Sequence, residues 1–122
     1  MIRWVTPVKH FMRTAQDDAV IRDTAIAAGE SLLLAYPSGN RDEDIFDNPT
    51  KFDISRVPNK HVAFGYGVHF CLGAALARLE LNSFFTELVA RLKSIEMTAE
   101  PEWMATTFVG GIKHLPIRYE LT

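Results

Sequence analysis

Residues 64–73 form the sequence Phe64-Gly65-Tyr66-Gly67-Val68-His69-Phe70-Cys71-Leu72-Gly73, a glycine-rich segment that contains the only cysteine of the chain. A helix-forming run, Ala74 to Leu81, follows directly, so we expect Cys71 to lie at or just before a helix N-terminus. Unpaired backbone N–H groups and the positive end of the helix dipole favour a thiolate there. A thiolate on a loop that glycine keeps open suits a soft metal. The alternative is an ordinary buried free cysteine.

The spacing Phe-x-x-Gly-x-His-x-Cys-x-Gly across this segment is similar to the haem-binding loop of the cytochromes P450. In that family the cysteine thiolate is the proximal ligand of haem iron and pushes electron density toward O–O cleavage. The resemblance implies that Cys71 ligates the iron of haem b and that His69 donates to a haem propionate. It also implies that Phe64 packs beside the sulfur, and that Gly65 and Gly73 belong to the haem-binding positions.

Arginines outside the loop fit further positions of the same family. By resemblance, Arg13 pairs with a haem propionate, because a planar guanidinium matches a carboxylate. Arg3 fits the arginine of the K-helix signature Glu-x-x-Arg, and Arg56 ends a Pro-x-x-Phe-Asp-x-x-Arg segment that begins at Pro49. Both are expected to be structural. Arg78 matches a surface arginine that many bacterial P450s use toward an acidic ferredoxin, although a solvated helix face would explain it equally well.

Two distant segments are candidates for contact with substrate. By resemblance, Val8 and Lys9 run along the distal pocket of the family, and the tip of a hairpin near the C-terminus enters the same pocket. Phe108 and Val109 lie at that expected tip. His10 is polar for such a place, and it or Lys9 could instead point to solvent.

Composition narrows the class of protein. The 122 residues are 48% hydrophobic and 23% charged, and the net charge of −2 argues against a nucleic-acid partner. One cysteine excludes a disulfide framework, and the four histidines lack metal-ligand spacing. A dinucleotide fingerprint at Gly65-x-Gly67 fails because Phe70 takes the third glycine position. No apolar run is long enough to span a membrane and no signal peptide is visible, so a cytoplasmic protein is expected.

Periodicity and turn residues predict the main elements of the chain. A helix should end at Thr6-Pro7, and a long apolar helix, the L helix of the family, should run from Leu72 to about Leu92. Shorter elements are also predicted: a β-hairpin from 11–15 and 19–22, a buried run at 32–35, a capped helix at 40–46, one short strand within 94–100, and a terminal β-hairpin from 108 to 121.

The resemblance implies the C-terminal portion of a single cytochrome P450 domain, residues 1–122, with the N-terminal part missing. The expected fold class is mainly α (α+β): K-helix end, β-hairpins, haem-thiolate loop, L helix and terminal hairpin. The implied activity is a haem-thiolate monooxygenase that uses O₂ and electrons from a ferredoxin and its reductase. A terpene is the expected substrate, and a sterol or branched lipid is the alternative. A non-catalytic fragment that binds haem poorly, and that folds poorly alone because its apolar helix faces lack cover, is the other interpretation.

Overall fold

The computed structural model describes all residues, 1–122. The chain divides into two compact units. The first comprises Met1–Ala63 with Thr107–Val109, and the second comprises Phe64–Thr106 with Gly110–Thr122. One long helix accompanies several two-stranded sheets, so the predicted α+β class is confirmed. Within this chain the helices do not dominate, because only one of them exceeds four residues.

The first unit is built from short elements that pair in two antiparallel sheets. In one sheet the first strand pairs with the fourth, and Arg13 stands opposite Leu32. In the other the second strand pairs with the third. The elements, in chain order, are α1 (Ile2–Val5), β1 (His10–Thr14), β2 (Ala19–Ile21), β3 (Thr24–Ile26), β4 (Ser31–Ala35) and α2 (Tyr36–Gly39).

The predicted hairpin between residues 11–15 and 19–22 is wrong. Arg22 and Asp23 form a two-residue turn, with Arg22 in the left-handed region at φ 53°, so β2 folds back on β3. The amide of Ala15 donates to the Glu30 carbonyl at 2.9 Å, which continues the pairing of β1 with β4. The local turn therefore determines the partner of β2, and β1 pairs with a strand further along the chain.

The predicted helix over 40–46 is also wrong. Helix α2 begins at Tyr36, and Pro37 lies in its first turn, where the missing N–H of proline costs no hydrogen bond. Asn40 caps the C-terminus of α2, and turns follow it. The expected burial of 32–35 is not observed, since Leu33 is 56% exposed. By contrast, α1 ends at Val5, and Thr6 is its C-cap with φ 42°, which confirms the predicted stop.

A buried polar cluster, which we call the Asn40 network, joins α1 and α2 to the segment that leads into residue 64. Asn40 is fully buried, and Arg3 and Thr6 are almost so. The side-chain amide of Asn40 donates to Oγ1 of Thr6 at 2.9 Å, and its Oδ1 accepts the backbone N–H of Val62 at 2.7 Å. Nη1 of Arg3 donates to the carbonyls of Asn40 and Pro49 at 2.6 and 3.2 Å. The network thus satisfies these buried polar groups.

The second unit contains the long helix and four strands. Helix α3 spans Ala74–Arg91, with Gly73 as N-cap, which confirms the predicted L helix within two residues at the start. Strand β5 (Leu92–Met97) follows directly, and it begins two residues before the segment 94–100 in which a short strand is predicted. The remaining strands are β6 (Glu102–Trp103), β7 (Ile112–His114) and β8 (Ile117–Leu121).

The predicted terminal hairpin is corrected by the observed pairing. Strand β7 pairs with β6, and β8 pairs with β5, so residues 112–114 and 117–121 do not pair with each other. Only Leu115 and Pro116 separate β7 from β8, and the carbonyl of Pro116 accepts the N–H of Thr98 at 2.9 Å. That bond extends the β5–β8 pairing. The partner of β8 is therefore set by contacts distant in sequence, which the alternation of residues cannot specify.

The apolar residues predicted around α3 are largely exposed. Leu76, Leu79, Phe84 and Val89 are between 58% and 71% exposed, and Leu72, just before the helix, is completely so. Burial of such side chains is the main favourable term in folding. The residues of this chain therefore leave much of the apolar surface of α3 in contact with solvent. None of its helices is both long enough and apolar enough to cross a membrane.

Candidate functional site

The cysteine loop, residues 64–73, is held by its own backbone. Gly65 and Gly67 adopt φ of 73° and 65°, conformations that favour glycine, and nothing lies within 4 Å of a Cβ built on Gly67. The amide of Cys71 donates to the carbonyl of Phe64 at 2.9 Å, and the amide of Phe70 donates to that of Gly67 at 3.0 Å. These two hydrogen bonds close the loop and fix the backbone position of Cys71.

Cys71 lies three residues before helix α3, as the sequence predicted. Its carbonyl accepts the N–H of Ala74 at 3.2 Å, which joins the loop to the first turn of α3. The thiol is free and exposed, so the interpretation as a buried structural cysteine is not supported. A Cβ on Gly73 would stand 3.9 Å from Sγ, an ordinary contact distance. The loop therefore presents a single soft donor on its outer surface.

Phe64 is half-buried, and three of its contacts lie within the second unit. Its carbonyl accepts the amide of Cys71, and its ring meets the ring of Phe70 edge-on, with centroids 6.4 Å apart. The guanidinium carbon of Arg78 lies 4.8 Å from the centroid of the Phe64 ring. Sequence reasoning placed Arg78 on a solvated helix surface, and its side chain is exposed, but the stacking on Phe64 was not foreseen.

The two residues predicted to hold propionates occupy different units. His69 is exposed at the end of a 3₁₀ turn, Gly67–His69, in the second unit. Arg13 lies on β1 of the first unit and is half-buried, and its Nη1 donates to the carbonyl of Met12 at 2.8 Å. Both side chains carry N–H groups that can donate hydrogen bonds to a carboxylate. Their roles remain predictions.

The four candidates for substrate contact lie in the first unit, where residues 8–9 and 108–109 pair with each other through their backbones. Val8 forms an antiparallel bridge with Val109, and the N–H of Lys9 donates to the carbonyl of Phe108 at 2.8 Å. Sequence reasoning did not identify Phe11, whose ring meets that of Phe108 edge-on, with centroids 5.4 Å apart. An apolar residue in an exposed strand gives no signal of such a contact.

The two arginines predicted to be structural bind backbone carbonyls. Arg3 is 4% exposed, and its guanidinium carbon lies 4.8 Å from the centroid of the Phe46 ring. Burial lowers the pKa of Arg3 from its ordinary value, the positive charges of Arg56 and Arg41 lower it further, and Asp53 opposes them. The buried cation of Arg3 is therefore held by carbonyl oxygens rather than by an adjacent carboxylate.

Arg56 reaches back along the chain to the turn before it. Its Nη1 and Nη2 donate to the carbonyls of Asp47 and Asn48 at 2.8 and 3.2 Å, while its Nε is buried without a hydrogen-bond partner. Asn48 has φ 48°, a conformation that asparagine tolerates better than most residues. Arg56 thus ties down the turn at Asp47 and Asn48, and the structural role expected for it remains a prediction.

Asp53, beside Arg56, offers a direct test of the local electrostatics. Hydrogen bonds from the side chain and backbone of Ser55 lower the pKa of Asp53 from its ordinary value, and Arg56 and Lys51 contribute less. The stabilisation is present above the ordinary carboxyl pKa and is lost as pH falls through the lowered value. We expect Ser55→Ala to raise the pKa of Asp53 toward its ordinary value, as measured by NMR titration of the carboxyl carbon. Ser55→Thr keeps the hydroxyl and should leave this pKa unchanged, and an equal rise in both variants would contradict the assignment.

Comparison with known proteins gives the same class as the cysteine loop. Residues 1–121 match the family described as Cytochrome P450. The chain is 52% identical over 118 residues to Cytochrome P450-terp of Pseudomonas sp, covering 97% of this chain and 28% of that protein. It is 41% identical over 120 residues to the Steroid C26-monooxygenase of Mycobacterium tuberculosis, covering 96% of this chain and 32% of that protein. The crystal structure of CYP108D1 from Novosphingobium aromaticivorans superposes with TM-score 0.92 at 48% identity, covering 99% of this chain and 29% of that one.

The chain therefore belongs to the cytochrome P450 family. It spans between a quarter and a third of the length of the curated relatives that it matches. The residues present fit the cofactor that the family implies. The cysteine loop presents one free, exposed thiol, and Cys71 would supply a sulfur ligand of the kind by which this family holds haem iron.

Proposed function

We propose that the complete protein of which this chain is part is a haem-thiolate monooxygenase. The overall reaction converts a C–H bond, O₂, two electrons and two protons into an alcohol and water. The observation that carries the proposal is the exposed thiol of Cys71 on a closed, glycine-shaped loop at the start of α3. When bound, haem b supplies the oxygen binding and the C–H oxidation, while the protein supplies the ligand, the orientation and the pocket.

Each of the predicted haem residues has a defined task in this proposal. Cys71 would ligate the iron through its sulfur, and the backbone bond from its amide to Phe64 would fix the direction of the thiolate. His69 and Arg13 would hold the propionates by charge-assisted hydrogen bonds. Gly65 and Gly73 would leave the backbone of the loop open on the side of the cofactor.

The substrate that we propose is a small, hydrophobic molecule of the terpene class. Three of the four residues in the paired segments 8–9 and 108–109 are aromatic or β-branched, the exception being Lys9, and the ring of Phe11 contacts that of Phe108. The 52% identity to Cytochrome P450-terp supports this class. A sterol or a branched lipid is the second candidate, since a steroid C26-monooxygenase is also similar to the chain. Val8, Lys9, Phe108 and Val109 are the residues that we expect to discriminate between them.

The proposed electron donors are a ferredoxin and its reductase, in the cytoplasm. Arg78 is exposed near the start of α3 and would offer a cation to an acidic ferredoxin. Such a contact would be sensitive to ionic strength, because exposed charges are screened by salt.

The proposal is tested with the full-length protein, purified with haem. We expect a ferrous–CO Soret band of the thiolate type, and a hydroxylated product from a monocyclic terpene alcohol when a bacterial ferredoxin, its reductase and NADH are supplied. Turnover of a sterol but not of the terpene would favour the second substrate class. The absence of a thiolate-type band from the full-length protein would contradict the proposed function.

A further inference from the structure

The contact between Arg78 and Phe64 links helix α3 to the start of the cysteine loop. The guanidinium carbon lies 4.8 Å from the ring centroid, within the range of a cation–π interaction. None of the salt bridges in the structure includes Arg78. Its ordered contact is therefore with the aromatic ring, even though the residue is exposed and lies on a helix that also carries glutamates.

Phe64 connects Arg78 to the cysteine. The same residue that stacks against Arg78 accepts the amide of Cys71 through its carbonyl at 2.9 Å. Its ring is also held edge-on by Phe70, which directly precedes Cys71 in the chain. Phe64 is therefore linked to the cysteine in two ways, through the backbone hydrogen bond to the Cys71 amide and through the ring of Phe70.

The chemistry of arginine suits this task better than that of lysine. A guanidinium is flat and weakly hydrated, so it can lie over a ring while its edges remain in water. An ammonium group is compact and strongly hydrated, and it gains less from an exposed aromatic ring. Replacing Arg78 with lysine therefore keeps the positive charge at this position and weakens the stacking on Phe64.

We propose that Arg78 is a positioning residue of the cysteine loop, which holds Phe64 by stacking and thereby sets the environment of the Cys71 sulfur. This inference rests on the proposed function, because the sulfur is taken to be the iron ligand. It differs from the expected role toward a ferredoxin, since it applies to the protein without any partner.

The test measures the ferric–ferrous equilibrium of the full-length holoprotein against a redox dye, without substrate or ferredoxin. Arg78→Gln is expected to change the equilibrium constant for reduction by about threefold, mainly because Phe64 loses the contact that holds its ring, while the loss of an exposed and solvent-screened charge contributes little. Arg78→Lys keeps the charge and should give most of the same shift. It also serves as the second variant where Arg78→Gln yields too little holoprotein.

The control on the same helix is Arg91→Gln. Arg91 pairs with Glu87 at 2.6 Å and makes no aromatic contact, so its replacement should leave the equilibrium unchanged. The decisive comparison repeats Arg78→Gln in a Phe64→Leu background, where the substitution at residue 78 should have little further effect. That loss of effect, together with the shift in Arg78→Lys, supports the inference.

Three results would overturn it. These are an equal effect of Arg78→Gln with Phe64 and with Leu at position 64, wild-type behaviour of Arg78→Lys, or a shift in Arg91→Gln as large as that in Arg78→Gln. In each case the thiolate-type ferrous–CO band of the wild type would still stand, so the proposed function would survive. Without that band in the wild type, the proposed function and this inference fall together.

Discussion

Replacing Cys71 with serine in the full-length protein is expected to abolish the thiolate-type ferrous–CO Soret band and to reduce hydroxylation at least about 100-fold. The thiol is exposed, and serine occupies nearly the same space, so the loop should keep its shape. The hydroxyl is a poor ligand at neutral pH because it remains protonated. The absorption spectrum and the rate of product formation provide the two measurements.

A second substitution at Cys71 distinguishes the loss of any iron ligand from a change in the kind of ligand. Cys71→His offers the iron a nitrogen donor, so we expect it to retain haem but to show a ferrous–CO band of the non-thiolate type. Val68→Ala removes an exposed side chain from the same loop and should preserve the wild-type spectrum. A thiolate-type band that persists in Cys71→Ser would contradict the assignment of the axial ligand.

Replacing Asn40 with alanine is expected to destabilise the full-length protein by about 3 kcal/mol. The side chain is fully buried, and its loss leaves the amide of Val62 without an acceptor and Oγ1 of Thr6 without a donor. The small cavity left by the amide adds to this cost. Thermal unfolding followed by circular dichroism should show a midpoint lower by several degrees.

The control for this stability change is Asn59→Ala. Asn59 is exposed, and its carbonyl accepts the backbone N–H of His61 at 2.9 Å, a hydrogen bond that alanine preserves. We expect a change within about 0.5 kcal/mol. Equal midpoints for the Asn40 and Asn59 variants would contradict a stabilising role for the Asn40 network.

Local features of the chain could be predicted from the sequence because their causes are local. The glycines of residues 64–73, the lone cysteine and the helix-forming run after it are neighbours in the chain, and they determine the loop and the start of α3. The end of α1 before Pro7 follows from the steric effect of proline on the preceding residue. The family, and with it the candidate ligand Cys71, was therefore accessible from the sequence.

Strand partners were decided by tertiary structure. Strands β1 and β8 pair with β4 and β5, and neither pairing follows from alternation of residues, because any strand of suitable length satisfies the same pattern. Because of the two-residue turn at Arg22-Asp23, β2 pairs with β3 and not, as the predicted hairpin required, with β1. Pairings that close over long stretches of chain gain their energy only once the rest of the fold is formed.

The contacts of single polar side chains also depended on the tertiary structure. Asn40 stands in a polar segment that resembles a turn, yet it is fully buried because donors and acceptors from α1 and Val62 converge on it. Arg78 resembled a solvated helix residue, yet its guanidinium lies over Phe64. The sequence by itself determined the cysteine loop, with Cys71 as the candidate metal ligand, and the helix that follows it. Only the tertiary structure decided which side chains hold that loop in place, because hydrogen bonding and stacking require partners that the chain brings together on folding.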